Sequence, residues 1–214
     1  MISFNFMVCQ SYFERRGLPL LLTIGREIEN SGDKIHLLAA EENEDHKMVK
    51  LSESDDYESC VNKLMNSFSF LAKNDQDCDW FFFGDDDTFV NLNNAKKFAD
   101  SRSKENLMIY GFCGPAEGVM HAHGGAGFLM NKKTLLEIRN YLDGRNFLRH
   151  HNSDVTLALN IAERNKQANE KIEFSAEKEL FVNADPDINS LDWGKVVSVH
   201  VVDRIPLSEI ASAK

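Results

Sequence analysis

The sequence predicts an α/β fold, a single domain over residues 1–214 with a mostly parallel central sheet and helices on both faces. Three observations carry that prediction. Strand-like and helix-like segments alternate through the first hundred residues, the order that builds a parallel sheet through crossover helices. The run "DWFFFG" at residues 79–84 is too short for a helix and apolar on both faces, as a central strand covered on both sides must be. Finally, 43% hydrophobic residues in a chain of 214 suffice for one core, with no repeat, low-complexity tract or linker to divide it.

In chain order, "FNFMVCQ" (4–10) reads as the first strand. "YFERRGLPLLLTIGREIEN" (12–30) carries a helical pattern punctuated early by Gly17 and Pro19. The apolar run at 35–40 suits a second strand. Tyr57, Val61, Leu64, Met65, Phe68 and Leu71 then fall at helical spacing, with Asp55 or Asp56 as the cap. After "DWFFFG", a short helix is expected at 93–102 and a strand in "NLMIYGFCG" (106–114). "HGGAG" (123–127) reads as a flexible loop, followed by helices over Lys132–Leu142 and Ser153–Asn165. Residues 166–194 are polar and loop-rich, and "KVVSVHVV" (195–202) is a late strand.

Composition narrows the function classes. A net charge of −10 argues against nucleic acid or an anionic membrane as the main partner, though a cation can still mediate contact with a nucleotide. No run approaches the roughly 20 apolar residues of a membrane span, and "MISFNFMVCQ" lacks the basic start of a signal peptide. Cys9, Cys60, Cys78 and Cys113 form no CxxC pair or Cys/His cluster, which argues against a zinc site built on them; two disulfides or four free thiols both fit. There is no N-x-Ser/Thr sequon.

Four short motifs can carry chemistry. Asp85, Asp86 and Asp87 stand side by side at the end of the greasiest strand. Their mutual repulsion calls for water, a basic neighbour or a metal ion. In open α/β sheets this strand end faces the ligand crevice, and carboxylates are hard ligands suited to Mg²⁺ or Mn²⁺. A solvated acidic turn is the plainer alternative. An EF-hand fails because Val90 and Lys96 occupy its glycine and glutamate positions, and a D-x-D-x-[TV] phosphatase motif fails at Phe89. In "HAHGGAGF" (121–128), three glycines fit either a close backbone approach to a ligand or a turn with positive φ; His121 and His123 receive no role. Asp154 opens an apolar helix, where a carboxylate favourable to the helix dipole is the ordinary explanation. His200 is a lone polar group in an apolar strand, a ligand or a satisfied core histidine.

Their order is more informative than any one of them. "DWFFFGDDDTFVN", "GGAGFLMNKKTL", "SDVTLAL" and "VSVHVVD" together resemble the β1,3-glycosyltransferase family of fringe and core 1 β1,3-galactosyltransferase, more closely the latter. "LLAAEENEDHKMVKL" (37–51) adds to the likeness, which spans roughly residues 5–207. The resemblance implies a GT-A fold and inverting transfer of galactose or an N-acetylhexosamine from a UDP-sugar to a glycan or glycoprotein hydroxyl. It implies Mn²⁺, with Mg²⁺ as an alternative, held by Asp85, Asp87 and His200. It implies Asp154 as catalytic base, and Asp85, Asp86 and the loop Gly124, Gly125, Ala126 and Gly127 around the donor. A Golgi or ER location belongs to the same implication, although no anchor is visible in the sequence. Ser153 and Ala158 depart from the family pattern beside the base, and the family's cysteine pair before the late strand is missing. A non-catalytic relative that binds a sugar, nucleotide or partner is the alternative.

Overall fold

The computed structural model describes residues 1–183 and 190–201. Seven strands form the central sheet: β1 (Ile2–Met7), β2 (Lys34–Ala39), β3 (Met48–Lys50), β4 (Trp80–Asp85), β6 (Met108–Gly111), β9 (Phe128–Asn131) and β10 (Glu173–Ala176), in the order β10-β6-β9-β4-β1-β2-β3. Every neighbouring pair is parallel except the two made by β9, which runs antiparallel to β4 and β6. A mostly parallel sheet is therefore what the chain builds. Two smaller sheets flank it, β11 (Phe181–Val182)–β12 (Ser198–His200)–β5 (Thr88–Val90) and the hairpin β7 (Cys113–Ala116)–β8 (Val119–Ala122).

The aromatic run in β4 explains the layering. Successive side chains on a strand point to opposite faces. Trp80 and Phe82 enter one core with Phe4 and Phe6 of β1, while Phe81 and Phe83 enter the other. The first core is roofed by the short helices α1 (Gln10–Tyr12), α2 (Leu18–Leu20) and α3 (Arg26–Asn30) and by α5 (Leu92–Asp100), through Leu20, Ile24, Ile28 and Phe98. The second is roofed by α4 (Ser59–Asn74), α6 (Lys132–Leu142) and α7 (Ser153–Gln167), through Phe68, Leu71, Leu135 and Ile161. Phe4, Phe6, Phe81, Phe82 and Phe83 of the two strands are each at most 1% exposed, so helices do cover both faces.

Several local expectations change. Gly17 and Pro19 do not end the first helical segment; π turns at Phe13–Gly17 and Leu21–Gly25 join α1, α2 and α3 into one irregular helix. Pro19 occupies the first turn of α2, where a missing N–H is tolerated. At the start of α4, Asp56 accepts the Ser59 amide (2.8 Å), whereas Asp55 turns away to buried Lys63 (2.7 Å). Residues 166–194 contain β10 and β11, and β10 escapes the eye because it is a polar edge strand with Glu173 and Ala176 exposed. All four cysteines are free thiols. Among the described residues no helix is long and apolar enough to cross a membrane.

"HGGAG" is a tight turn rather than a flexible loop: the Gly127 amide donates to the Gly124 carbonyl at 2.9 Å. Gly127 has φ +75°, and a Cβ there would lie 2.4 Å from the Phe82 ring. Gly127→Ala is accordingly expected to destabilise the fold by roughly 2–4 kcal/mol, the sum of left-handed strain and overpacking. A denaturant titration of the variant measures it.

Candidate active site

The site lies where the sheet changes direction. β2 and β3 continue on one side of β1 and β4 lies on the other, so the carboxyl ends of β1 and β4 frame a crevice. Register places Met7 opposite Asp85 across that gap. The crevice opens into a cleft of about 540 Å³ whose lining includes Arg16, Asp85, Asp86, Asp87, Ser153 and His200.

Hydroxyl groups tie the distant motifs together. The Asp85 amide donates to Thr88 Oγ1 (2.8 Å), closing the turn that follows β4. Thr88 Oγ1 in turn donates to the Gly125 carbonyl (2.9 Å), and Ser198 Oγ donates to the Ala126 carbonyl. β12 pairs antiparallel with β5, so His200 stands opposite Thr88, and the Val201 amide donates to the Asp87 carbonyl (2.8 Å). Gly125 is required by this packing, since a Cβ would lie 2.8 Å from the His200 ring. Two of the three glycines thus have a structural cause in the fold itself. Gly124 is different: its missing side chain faces Asp85 Oδ2 at an unstrained 3.6 Å.

The basic neighbour that the aspartate triplet called for is Arg16. Its Nη1 lies 3.2 Å from Asp86 Oδ1 and 3.0 Å from Asp87 Oδ2. One guanidinium does not balance three carboxylates. Burial, then the Asp87, Asp86 and Asp154 charges, push Asp85 up to about 8, against the pull of His200. Burial and Asp87 push Asp86 up to about 6 despite Arg16. Asp87 Oδ1 is buried without a hydrogen-bond partner, and His200 Nε2 approaches it to 3.4 Å, an ion-pair separation. That interaction with Asp87 raises His200 above the ordinary histidine value. His200 Nδ1 donates to Asn183 Oδ1 at 3.2 Å, which aims Nε2 at the carboxylates.

Asp154 stands in the first turn of α7, as a carboxylate favourable to the helix dipole would. It also reaches the site. Gly124 donates its amide to Asp154 Oδ2 (3.2 Å), and the Val155 amide donates to Oδ1 (2.7 Å). His121 and His123 join it: His121 Nε2 lies 3.9 Å from Asp154 Oδ2, and the two imidazole centroids are 4.4 Å apart. Burial, then His121, hold His123 below the ordinary histidine value.

The structure therefore brings Asp85, Asp86, Asp87, Gly124–Gly127, Asp154 and His200 to one crevice. Asp86 is turned toward Arg16, which donates to its Oδ1, and is only 5% exposed. Arg16 and Asn183 were not read as site residues. The signal for Arg16 was its place just after the first strand, once β1 and β4 are known to be neighbours.

The fold, a mixed α/β sandwich on a seven-stranded sheet, is similar to that of a GT-A-like glycosyltransferase structure. A crystal structure of a glycosyltransferase involved in the glycosylation of the major capsid of PBCV-1 superimposes with a TM-score of 0.58, covering 99% of this chain and 98% of that one at 10% identity. In sequence the chain is similar to human chondroitin sulfate glucuronyltransferase, 36% identical over 72 residues, a match covering 32% of this chain and 9% of the human protein. No family model matches the chain.

Proposed function

We propose that this protein is an inverting, metal-dependent glycosyltransferase of the fringe and core 1 type, forming a β1,3 linkage from a UDP-sugar to a glycan or glycoprotein hydroxyl in the Golgi or ER lumen. The observation that carries the reading is the position of Gly124. Its amide holds Asp154, and its side-chain-free face meets Asp85, so a candidate base and a candidate donor site share one backbone hinge.

The residues present fit a divalent ion. Asp85 and Asp87 offer hard oxygens, His200 an imidazole aimed by Asn183, and Asp87 Oδ1 is a buried oxygen lacking a hydrogen bond. Mn²⁺, or Mg²⁺, bound there supplies neutralisation of the charge that builds on a departing diphosphate. Arg16 adds a fixed positive charge beside the same carboxylates. Asp154 accepts the proton of the acceptor hydroxyl as its oxygen attacks the anomeric carbon, and one displacement inverts an α-linked donor to a β-linked product. The human relative's name adds a glucuronyl donor to galactose and the N-acetylhexosamines.

The reading is tested by thermal melts with Mn²⁺, UDP and both. The pair is expected to raise Tm more than either alone, and Asp87→Ala or His200→Ala to remove the gain. Transfer assays with UDP-galactose, UDP-N-acetylhexosamines and UDP-glucuronate over an acceptor panel then identify the donor. No shift and no turnover would overturn the proposal.

A further inference from the structure

We propose that His121, His123 and Asp154 form a second metal site, chemically distinct from the aspartate site, that takes a zinc-class cation. Among the described residues these three are the one group of metal-ligating side chains whose donor atoms all lie within 4.8 Å of one another. The pattern follows from local structure. His121 closes to the end of β8 and His123 follows two residues on, so an extended backbone puts both imidazoles on one side. The Gly124 amide brings Asp154 to the same point.

The outer contacts match those of a ligand set. His121 is 4% exposed, and its Nδ1 donates to the Gly114 carbonyl at 2.9 Å. That bond fixes the tautomer and leaves the Nε2 lone pair facing Asp154 Oδ2 at 3.9 Å, too far for a hydrogen bond. Two ligands on a tetrahedral ion with bonds of about 2.0–2.1 Å lie roughly 3.4 Å apart, so the His121–Asp154 pair has to close by about half an ångström and no pair by more than about 1.4 Å from the 4.8 Å limit. Two nitrogens and one oxygen with an open fourth position suit Zn²⁺ better than Mg²⁺. Occupation engages Asp154 Oδ2. On the reading of Asp154 as base, zinc held here suppresses transfer, whereas zinc binding itself does not depend on that reading.

The test uses the full chain, free of any histidine tag and stripped of metal, titrated with Zn²⁺ by calorimetry without nucleotide. Binding that falls at least tenfold in His121→Ala and in His123→Ala, and persists in Asp87→Ala, is expected. The Zn²⁺-loaded protein should show two imidazoles in its X-ray absorption. Because His121 is buried, the less buried His123 gives the deciding variant, with its melt recorded to show that it folds. Zinc binding that survives His123→Ala, or disappears in Asp87→Ala while His123→Ala keeps it, overturns the site. The manganese and UDP melts report on the donor site separately.

Discussion

On the proposed function, Asp154→Asn is expected to lower sugar transfer by about 10²–10⁴-fold, the range removed with a general base, and to leave the joint thermal shift from Mn²⁺ and UDP in place. Asparagine keeps the size of the side chain and an oxygen that can accept from Gly124 or Val155, so the turn at Gly124 is retained. What it loses is the ability to take the acceptor's proton. The loss should appear in kcat, with the donor KM little changed. A variant that keeps more than a tenth of the rate would make Asp154 an ordinary first-turn carboxylate.

Much of the fold was legible because hydrophobic period reports which faces are buried. The two-sided run in β4 identified a central strand, and helix α6 follows its apolar spacing from end to end. Period does not report which strands are neighbours. Arg16 becomes the counter-charge of Asp86 and Asp87 only when β1 lies beside β4, an adjacency fixed by packing over 70 residues of sequence. Asn183 was hidden for the same reason, since its partner His200 arrives on a strand paired with β5. The glycines show the opposite limit. Their number was visible, but Gly125 and Gly127 answer to His200 and Phe82, neighbours in space alone. His121 and His123 were passed over because the carboxylate that gives them meaning enters from α7.

Asp85→Asn is expected to stabilise the metal-free protein and disable the donor site together. The folded state raises Asp85 from an ordinary 3.8 to about 8, so it holds this proton more tightly than the unfolded chain does. The associated stability is full below about pH 4 and is lost as pH climbs toward about 8. Asparagine stays neutral throughout. The variant's advantage should therefore be smallest at pH 5, grow through neutrality and level off above pH 8, with an upper bound of roughly 6 kcal/mol, about 1.4 kcal/mol for each pH unit between 3.8 and about 8. The same proton competes with a cation. In the unaltered protein apparent Mn²⁺ affinity should rise by up to about tenfold per pH unit between 6 and 8, and Asp85→Asn should lose both the affinity and its slope. Melts at pH 5 and 8, with and without Mn²⁺, separate the two effects. A variant less stable than its parent at both pH values would mean that Asp85 is held by favourable local contacts. A more stable variant that binds no manganese would mean that three adjacent carboxylates persist at the end of β4 against the stability of the fold, as expected of a site kept for its ligand.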